Sequence, residues 1–465
     1  MEHKKRKLLL INPANQRRKG LRMRNLSTYP PLNLAIIAGL TPDTWEVKIL
    51  DENFDTIVFE DADIVGFTSF TSTATRAYEI AAIYRERNIK TIMGGIHASM
   101  LPDEALQYVD AVVIGEAESI WGKLICDFEV NSLQKIYRGE LLELGGKPMP
   151  RHDLLSKEYL FSAIQTTRGC PMQCDFCSVS TFNGSQYRLR PIPEVLDELE
   201  KLPTNLVFFF DDNIIGYGKK SQERAIALFK GIVERGIKID WIGQASLNFA
   251  DNEEVLKWAA RSGCKMVLIG IESEKTEQLQ EAGKKMNLHM GVDAYAKVFR
   301  KIHRYGISIL GAFIFGMDSD SKQSLLDRAQ FILKSSVDSW QTTILTPLPG
   351  TGLFERLKSE NRIKFTNYPQ DWCKYDFIEP VIIPQKMTND ELADTMKDVW
   401  TKIYNRKTVR KQFRRSLWNL KNFKVAMWGY ISNYNYYCLS FEEKIRTGDH
   451  RYSHWLLSEK AARKP

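Results

Sequence analysis

The chain has 465 residues, of which 43% are hydrophobic, 26% charged and 11% aromatic, which is an ordinary globular profile. A chain of this length is too long for one small core, so we expect two or three domains. Seven cysteines are too sparse for a disulfide scaffold, and no apolar run reaches the roughly 18 residues that span a membrane. Asn12 and Pro13 break the first apolar run too early for a signal peptide, so we expect a cytoplasmic protein.

Residues 1–145 alternate strand-like runs with helix-like stretches. The strand-like runs are KRKLLLINPA, WEVKILDEN, ADIVGFTSF, KTIMGG and DAVVIGEAE, with stretches such as NLAIIAGL between them. This order predicts a doubly wound, Rossmann-like sheet whose ligand lies outside the carboxyl ends of the strands. Those ends carry Asn12, Asp51 to Asn53, Thr68 to Thr71, Gly94, Gly95, Gly115 and Glu116. No G-x-G-x-x-G pattern follows the first strand, which disfavours a dinucleotide.

A segment rich in glycine and proline, LGGKPMPRHDLL, separates this unit from the rest of the chain. The predicted parts are a first domain at 1–145, a linker at 146–160, a second domain at 161–350 and a C-terminal region at 351–465. Near the end of the last region, His450 and His454 stand four apart. Without a pattern such as H-E-x-x-H, this spacing indicates chance more than a metal site.

The second domain repeats strand-like and helix-like runs six times. The strand-like runs are FSAIQTT, NLVFFFDD, IDWIGQASL, KMVLIGIES, ISILGAFIFGM and SWQTTILTPLPG. Between them lie amphipathic stretches such as PEVLDELEKL and NEEVLKWAARSG, several of which end in glycine. Apolar strands that alternate with amphipathic helices predict an α/β fold, namely a parallel barrel or part of one.

Polar residues stand at the carboxyl ends of these strands, where barrel enzymes place their chemistry. They are Asp211, Asp212 and Asn213 after the second strand, Gln244, Ser246 and Asn248 on the third, and Glu272 and Ser273 on the fourth, with GAFIFG on the fifth. A helix cap or a turn also uses residues like those at 211–213, so a structural role stays open for each of them.

Three of the seven cysteines, Cys170, Cys174 and Cys177, lie within eight positions in a C-x3-C-x2-C pattern. A structural zinc site needs four ligands, and the nearest candidates outside the loop are His152 and Cys264. A [4Fe–4S] cluster held by three cysteines leaves one iron open to bind another group. The spacing favours the cluster, with zinc as the second interpretation.

With Gly169 before the first cysteine and Phe176 before the third, this pattern resembles the signature of radical S-adenosylmethionine enzymes. The resemblance implies a [4Fe–4S] cluster on Cys170, Cys174 and Cys177 whose open iron chelates S-adenosylmethionine. An electron from the cluster then cleaves the sulfonium to a 5′-deoxyadenosyl radical. The resemblance also implies a partial barrel of six units, which is the usual core of that family.

The same resemblance implies a site for S-adenosylmethionine at the strand ends. The second-strand residues would lie near the methionine amino group, and the fourth-strand residues near the ribose or the methionine carboxylate. The fifth-strand backbone would flank the adenine. The predicted set is Phe176, Asp211, Asp212, Asn213, Gln244, Ser246, Glu272, Ser273 and Phe313.

The first domain resembles the cobalamin-binding domain of cobalamin-dependent radical enzymes. The resemblance rests on the order of elements and on MGGIHASMLPDEAL and VVIGEAE leading into the barrel, and it covers residues 1–350. It implies a cobalamin site lined by Thr68, Ser69, Gly94, Gly95, His97, Gly115 and Glu116.

The motif D-x-H-x-x-G, whose histidine binds cobalt from below, is absent: Gly95 replaces the aspartate and Met100 the glycine. Many members of this family lack the motif and bind cobalamin without a protein ligand below it. His97 is therefore expected to line the pocket or to be structural. A domain that kept the fold but lost cobalamin stays a second interpretation.

The resemblance predicts an enzyme that methylates an unactivated carbon. The radical would abstract a hydrogen atom, and methylcobalamin would donate a methyl group to the carbon radical. By analogy with hopanoid methylases, the expected substrate is a hydrophobic small molecule such as a lipid, an isoprenoid or a pigment precursor. An electron donor such as flavodoxin or ferredoxin is the expected protein partner. Two alternatives stay open: the same radical used for a cyclisation, a rearrangement or a carbon–carbon bond, and a non-catalytic cobalamin or redox sensor.

The C-terminal region carries a basic segment from Lys402 to Lys424, with nine Lys or Arg and no Asp or Glu. Phe413, Leu417 and Leu420 within it fall at helical spacing. The segment can be a helix that packs this apolar stripe on the barrel, or a helix that lies on an anionic membrane surface. Peripheral contact with the inner membrane surface is therefore one expectation. Nucleic acid is not expected, because no recognition module accompanies the charges.

Overall fold

The structure, a computed structural model, describes residues 5–15 and 29–440, with side chains as far as residue 437. His450 and His454 lie outside the described residues. The strands are β1 Arg6–Asn12, β2 Trp45–Asp51, β3 Ile64–Thr68, β4 Lys90–Gly94, β5 Ala111–Ile114, β6 Ile136–Arg138, β7 Ser162–Ile164, β8 Thr167–Arg168, β9 Arg188–Leu189, β10 Leu206–Phe209, β11 Asp240–Ala245, β12 Cys264–Glu272, β13 Ser308–Phe315 and β14 Ser339–Ile344.

The helices are α1 Leu32–Leu40, α2 Ala74–Arg85, α3 Ile96–Met100, α4 Pro102–Tyr108, α5 Trp121–Glu129, α6 Val179–Asn183, α7 Ile192–Leu199, α8 Lys219–Glu234, α9 Glu253–Arg261, α10 Thr276–Glu281, α11 Lys285–Met290, α12 Tyr295–His303, α13 Lys322–Lys334, α14 Gly352–Ser359, α15 Asn389–Ile403, α16 Arg406–Leu420 and α17 Phe423–Ser440. Within the described ranges, none of these helices is both long and apolar enough to cross a membrane.

The first sheet has six parallel strands in the order β2-β1-β3-β4-β5-β6. The order reverses between β1 and β3, which is the topological switch point where such sheets bind ligands. The predicted doubly wound sheet is thus confirmed. Strand β6 is an addition that the sequence did not indicate, because its three residues are too short to show a period.

The second sheet has six parallel strands in the order β14-β13-β12-β11-β10-β7. It confirms the predicted partial barrel, with helices on its outer face. On that face Trp241 lies between Phe209 and Phe229, with ring centroids 5.2 Å away in both cases. All three rings are buried, so this cluster fixes α8 against β10 and β11.

Part of the inner face of this sheet is apolar. Phe208, Ile242, Met266 and Leu310 form a buried cluster there with Trp428 of α17. Helix α17 therefore packs against the inner face of the barrel sheet. It also covers the edge strand β14, where the Asn433 amide accepts from the backbone of Trp340 at 3.0 Å.

The basic segment forms α16, whose apolar stripe is not free. Phe413, Leu417 and Leu420 pack with Val425 and Ala426 of the following helix. The first interpretation of this stripe, internal packing, is therefore correct, although the stripe packs on a neighbouring helix more than on the barrel. Arg410, Lys411 and Arg414 of α16 are exposed, whereas Arg415 is partly buried.

The two sheets divide the chain between β6, which ends at Arg138, and β7, which begins at Ser162. We propose that residues 146–160 are the linker, that 161–350 form the barrel domain, and that 351–465 form the C-terminal region. The linker is tied to the first sheet, because the Tyr159 hydroxyl donates to the buried Asp51 carboxylate at the end of β2.

Candidate active site

The three cysteines lie on a loop that follows β8 and precedes α6. The loop closes on itself, because the Cys170 amide donates to the Gly184 carbonyl at 3.1 Å and the Cys177 amide to the Cys174 carbonyl at 3.0 Å. Gly169 has φ +90°, and a Cβ there would lie 2.1 Å from the Gln186 carbonyl oxygen. Only glycine fits this turn, which explains why it precedes the first cysteine.

All three thiols are partly exposed and none forms a disulfide. Burial raises the pKa of Cys174, and it raises that of Cys177 to about 11. These thiols are therefore protonated at neutral pH without a metal, and metal binding releases their protons. In the described ranges, no three His, Cys, Asp or Glu side chains gather tightly enough to hold one single ion.

Asp211 anchors the strand that leads into this loop. Its fully buried carboxylate accepts from the backbone amides of Thr166 at 2.6 Å and Thr167 at 2.5 Å. It also accepts from both threonine hydroxyls at 3.0 Å. A carboxylate offers about four acceptor positions, so these four bonds occupy Asp211. Its side chain positions the loop, which agrees with the structural alternative for 211–213.

The neighbouring Asp212 faces the loop itself. Its Oδ2 accepts from the Gly169 amide at 3.3 Å and from the Asn183 amide at 3.1 Å. Burial raises the pKa of Asp212 to about 6. The two aspartates follow the end of β10 at Phe209. Asp211 bonds the backbone before the cysteine loop, whereas Asp212 bonds the loop itself.

A polar chain runs from the loop to the third strand. The Cys170 sulfur lies 3.7 Å from the Tyr217 hydroxyl, which is 3.2 Å from the Ser246 hydroxyl. Asn213 donates to the same serine at 3.2 Å. Gln244, two residues earlier on β11, is partly buried and shares the inner face. Tyr217 was missed from the sequence, because it lies in the irregular segment after the second strand and matches no pattern.

The fourth strand ends in a buried ion pair. Glu272 has φ +60°, a left-handed conformation that costs a non-glycine residue free energy. Its carboxylate lies 2.8 Å from the Lys284 ammonium, and the two side chains are 8% and 16% exposed. Burial lowers the pKa of Lys284, but Glu272 and Cys174 together raise it above its usual value. Lys284 was missed because it lies twelve residues away in the turn between α10 and α11.

The remaining predicted residues lie outside this polar set. The Ser273 hydroxyl is fully buried and donates to Gln278 at 2.5 Å, in a network that includes Arg328. Phe313 is buried on the helix side of β13, with its ring 6.4 Å from that of Phe331. Phe176 is partly buried against the main core. Their predicted contacts with S-adenosylmethionine stay predictions, and any contact from the fifth strand would come from its backbone.

A small cradle lies at the carboxyl ends of β3 and β4, next to the switch point of the first sheet. Thr68 ends β3 and accepts from the Asn33 amide at 2.5 Å. The Ser69 hydroxyl is buried and has no hydrogen-bond partner among the described residues. Gly95 has φ +91°, and a Cβ there would lie 2.9 Å from the Thr68 hydroxyl and 3.1 Å from Ser69. Gly94 ends β4 directly before it. An orphaned hydroxyl beside a close glycine turn fits a large polar ligand.

His97 belongs to the fold and not to this cradle. It is fully buried, with Nε2 3.2 Å from both the Tyr78 hydroxyl and the Glu104 carboxylate. Its Nδ1 lies 3.5 Å from the Thr71 hydroxyl. The Trp372 indole donates to the same Glu104 at 2.9 Å, which ties this network to the C-terminal region. Both ring nitrogens therefore have partners within the fold.

Glu116, which follows Gly115 at the end of β5, links the first sheet to the antiparallel pair β8–β9 that flanks the cysteine loop. Its buried carboxylate accepts two hydrogen bonds from Arg188, one of them at 2.9 Å. It also lies 3.3 Å from the Arg168 guanidinium, which bonds Glu118 at 2.6 Å. Arg168 stands two residues before the first cysteine. Glu116 thus serves as a clasp between the carboxyl end of β5 and the β8–β9 pair beside the cysteine loop.

This geometry defines the class of protein. The first sheet carries a ligand cradle at its carboxyl edge, and Glu116 links this sheet to the three-cysteine loop of the partial barrel. Comparison with known families agrees, because the B12 binding domain matches residues 21–125 and the Radical SAM superfamily matches residues 164–332.

The chain is similar to the bacteriochlorophyllide d C-12(1)-methyltransferase of Chlorobaculum tepidum, with 31% identity over 88% of this chain and 90% of that protein. It is 26% identical to the hopanoid C-2 methylase of Rhodopseudomonas palustris, over 83% of this chain and 73% of that one. In fold it is similar to the radical S-adenosylmethionine methyltransferase TsrM of Kitasatospora setae, with a TM-score of 0.62, 17% identity and coverage of 77% and 75%.

The chain belongs to the radical S-adenosylmethionine enzymes that carry a cobalamin-binding domain. Its cofactors are a [4Fe–4S] cluster, S-adenosylmethionine and cobalamin. The described residues fit them. The three thiols of the glycine-turned loop would hold the cluster, and the unpartnered Ser69 hydroxyl beside the Gly95 turn would face the corrinoid.

Proposed function

We propose that this enzyme transfers a methyl group to an unactivated carbon of a hydrophobic small molecule. The observation that carries the proposal is the Glu116 clasp, because it joins the cobalamin edge of the first sheet to the cysteine loop of the barrel. When bound, the cluster supplies the electron that cleaves S-adenosylmethionine, and the corrinoid supplies the methyl group. Two of the similar proteins, a bacteriochlorophyllide methyltransferase and a hopanoid methylase, support a hydrophobic substrate.

The inner-face residues are proposed to bind S-adenosylmethionine, namely Asp212, Asn213, Gln244, Ser246 and Glu272. Asp211, which is fully engaged by the threonine backbone, positions the loop instead. Replacing Ser246 by Ala is expected to weaken binding of S-adenosylhomocysteine about 2- to 13-fold, since one hydrogen bond contributes roughly 0.5–1.5 kcal/mol. Equilibrium dialysis measures this, with the exposed Ser359→Ala variant as the control. Equal affinity in both variants would contradict the assignment.

The test of the reaction uses oxygen-free full-length protein with cobalamin, a reductant and S-adenosylmethionine that carries a deuterated methyl group. Bacteriochlorophyllide and hopanoid preparations serve as substrates. We expect 5′-deoxyadenosine and a product that carries the labelled methyl group, detected by mass spectrometry. A modified product without the label would instead indicate a cyclisation or rearrangement. The triple Cys170, Cys174 and Cys177→Ala variant should lose both products, whereas Cys126→Ala, an exposed cysteine on α5, should retain them.

The proposal includes an external one-electron donor such as flavodoxin or ferredoxin. These carriers are acidic, and the net charge of +8 on this chain favours encounter with them. The rate of cluster reduction by reduced flavodoxin, followed by stopped-flow absorbance, is expected to fall as salt is raised. A rate that does not depend on salt would remove the electrostatic part of this proposal.

A peripheral membrane contact through α16 is the second part of the partner proposal. Trp418 is 83% exposed and Phe423 is 57% exposed, although the apolar stripe of Phe413, Leu417 and Leu420 packs on α17. Arg410, Lys411 and Arg414 are exposed on the same helix. Three such charges near an anionic leaflet contribute about 3 kcal/mol, at roughly 1 kcal/mol each.

Co-sedimentation with liposomes tests this contact. The Arg410, Lys411 and Arg414→Gln variant is expected to bind anionic liposomes less than the unchanged protein does. A matched control replaces three exposed lysines that are distant from α16 in the sequence, Lys219, Lys220 and Lys238, by Gln. Equal losses in both variants would indicate a general charge effect, and no binding to anionic liposomes would refute the contact. Arg415 is left unchanged, because it donates to the Leu333 carbonyl at 3.0 Å.

A further inference from the structure

The buried Glu272–Lys284 pair lies inside the barrel. Gly270 leaves the inner face of β12 without a side chain at this position. A Cβ there would lie 2.5 Å from the Glu272 carboxylate and 2.8 Å from the Lys284 ammonium. Both charged groups therefore rest directly over this glycine. The ammonium reaches the strand from the turn between α10 and α11, so it lies on the same face as the polar residues that lead to the cysteines.

The turn that carries Lys284 also touches the cysteine loop. Gly283 has φ +65°, and a Cβ there would lie 3.3 Å from the Gln173 carbonyl and 3.7 Å from the Cys174 Cα. The lysine backbone is thus fixed against the loop, and its side chain is directed to Glu272 at 2.8 Å.

A cluster on three thiolates concentrates negative charge, and one-electron reduction adds another. A fixed cation within a site of low polarity stabilises the more negative state, and the effect grows as water is excluded. The Glu272 carboxylate opposes it. The balance between these two charges therefore shifts the equilibrium for reduction of the cluster by an external donor protein.

We propose that Lys284 and Glu272 set the reduction potential of the cluster, with Lys284 as the positioning residue that makes the reduced state accessible. The lysine keeps its proton throughout: the donor loses one electron, the cluster gains it, and no bond to the lysine forms or breaks. The inference rests on the cluster assignment and is independent of methyl transfer, because it concerns the cluster before S-adenosylmethionine is bound.

The test is a redox titration of reconstituted full-length protein without S-adenosylmethionine, followed by electron paramagnetic resonance of the reduced cluster. Lys284→Met keeps the length of the side chain but removes its charge. We expect at least a tenfold lower equilibrium constant for reduction, which is a potential about 59 mV more negative for a one-electron couple. Lys284→Arg restores the charge and should return the potential close to that of the unchanged protein. Lys285→Met, an exposed neighbour on α11, is the matched control and should not shift it.

Glu272→Gln provides the second arm, because it leaves the cation unopposed and should shift the potential in the opposite direction. Iron content, measured on every variant, separates a lost cluster from a shifted one. A potential unchanged in both Lys284→Met and Glu272→Gln, with full iron, would overturn the proposal. A shift of the same sign in both would also overturn it, since a merely structural disturbance has no reason to follow the sign of the charge. If Lys284→Met does not assemble its cluster, the positive shift in Glu272→Gln alone decides the matter.

Discussion

Asp211 offers a direct test of how the fold supports the cysteine loop. Its fully buried carboxylate accepts from two backbone amides, at 2.6 and 2.5 Å, in the strand just before the loop. Replacing it by Ala leaves both amides without a partner. A buried amide that loses its partner costs about 1–3 kcal/mol, so the two together cost roughly 4 kcal/mol. For a domain of this size each kcal/mol lowers Tm by about 2–4 °C, so we expect a loss of roughly 10 °C.

Thermal unfolding of the metal-free protein, followed by circular dichroism, measures this loss, and iron content after reconstitution measures its effect on the loop. Asp211→Asn keeps one oxygen facing the amides, so it should recover more than half of the lost Tm. The exposed Asp293→Ala variant is the control. If Asp211→Ala unfolds within about 2 °C of the unchanged protein, which is less than 1 kcal/mol, and also binds its full iron, the carboxylate does not hold the loop.

Three further variants test other parts of the site. Gly169→Ala should bind little iron after reconstitution, since its Cβ would lie 2.1 Å from a backbone oxygen across the loop; normal iron content would contradict this. Arg188→Met leaves the buried Glu116 with a weaker partner and should lower the free energy of unfolding, measured in urea, by about 3–5 kcal/mol. Adding Glu116→Gln should recover part of this loss, and no recovery would refute the ion pair. Burial raises the pKa of Asp240, but Lys424 and Lys265 lower it below its usual value, so Asp240→Asn should be less stable at pH 7. The difference should shrink as the pH falls below about 4, where the unfolded carboxyl and then the folded one take up protons; a constant difference would argue against the ion pair.

The class of enzyme was predictable because its signals are local. The cysteine spacing of Cys170, Cys174 and Cys177 needs only eight consecutive residues, and alternating apolar runs fix parallel strands over short windows. The missing D-x-H-x-x-G motif was also informative, since His97 is a buried residue with partners for both ring nitrogens. Strand β6 was not predicted, because three residues are too few to show the periodicity of a strand.

The sequence by itself determined the fold class, the cofactor class and the loop that holds the cysteines. Only the tertiary structure decided which polar residues face the site. Asp211 and Asp212 are adjacent, yet one bonds the backbone before the cysteine loop and the other bonds the loop itself. Lys284 meets Glu272 from the turn between α10 and α11, twelve residues later, and Glu116 meets Arg188, 72 residues away. Such contacts depend on how packed elements bring distant residues together, and no short window of the sequence contains that information.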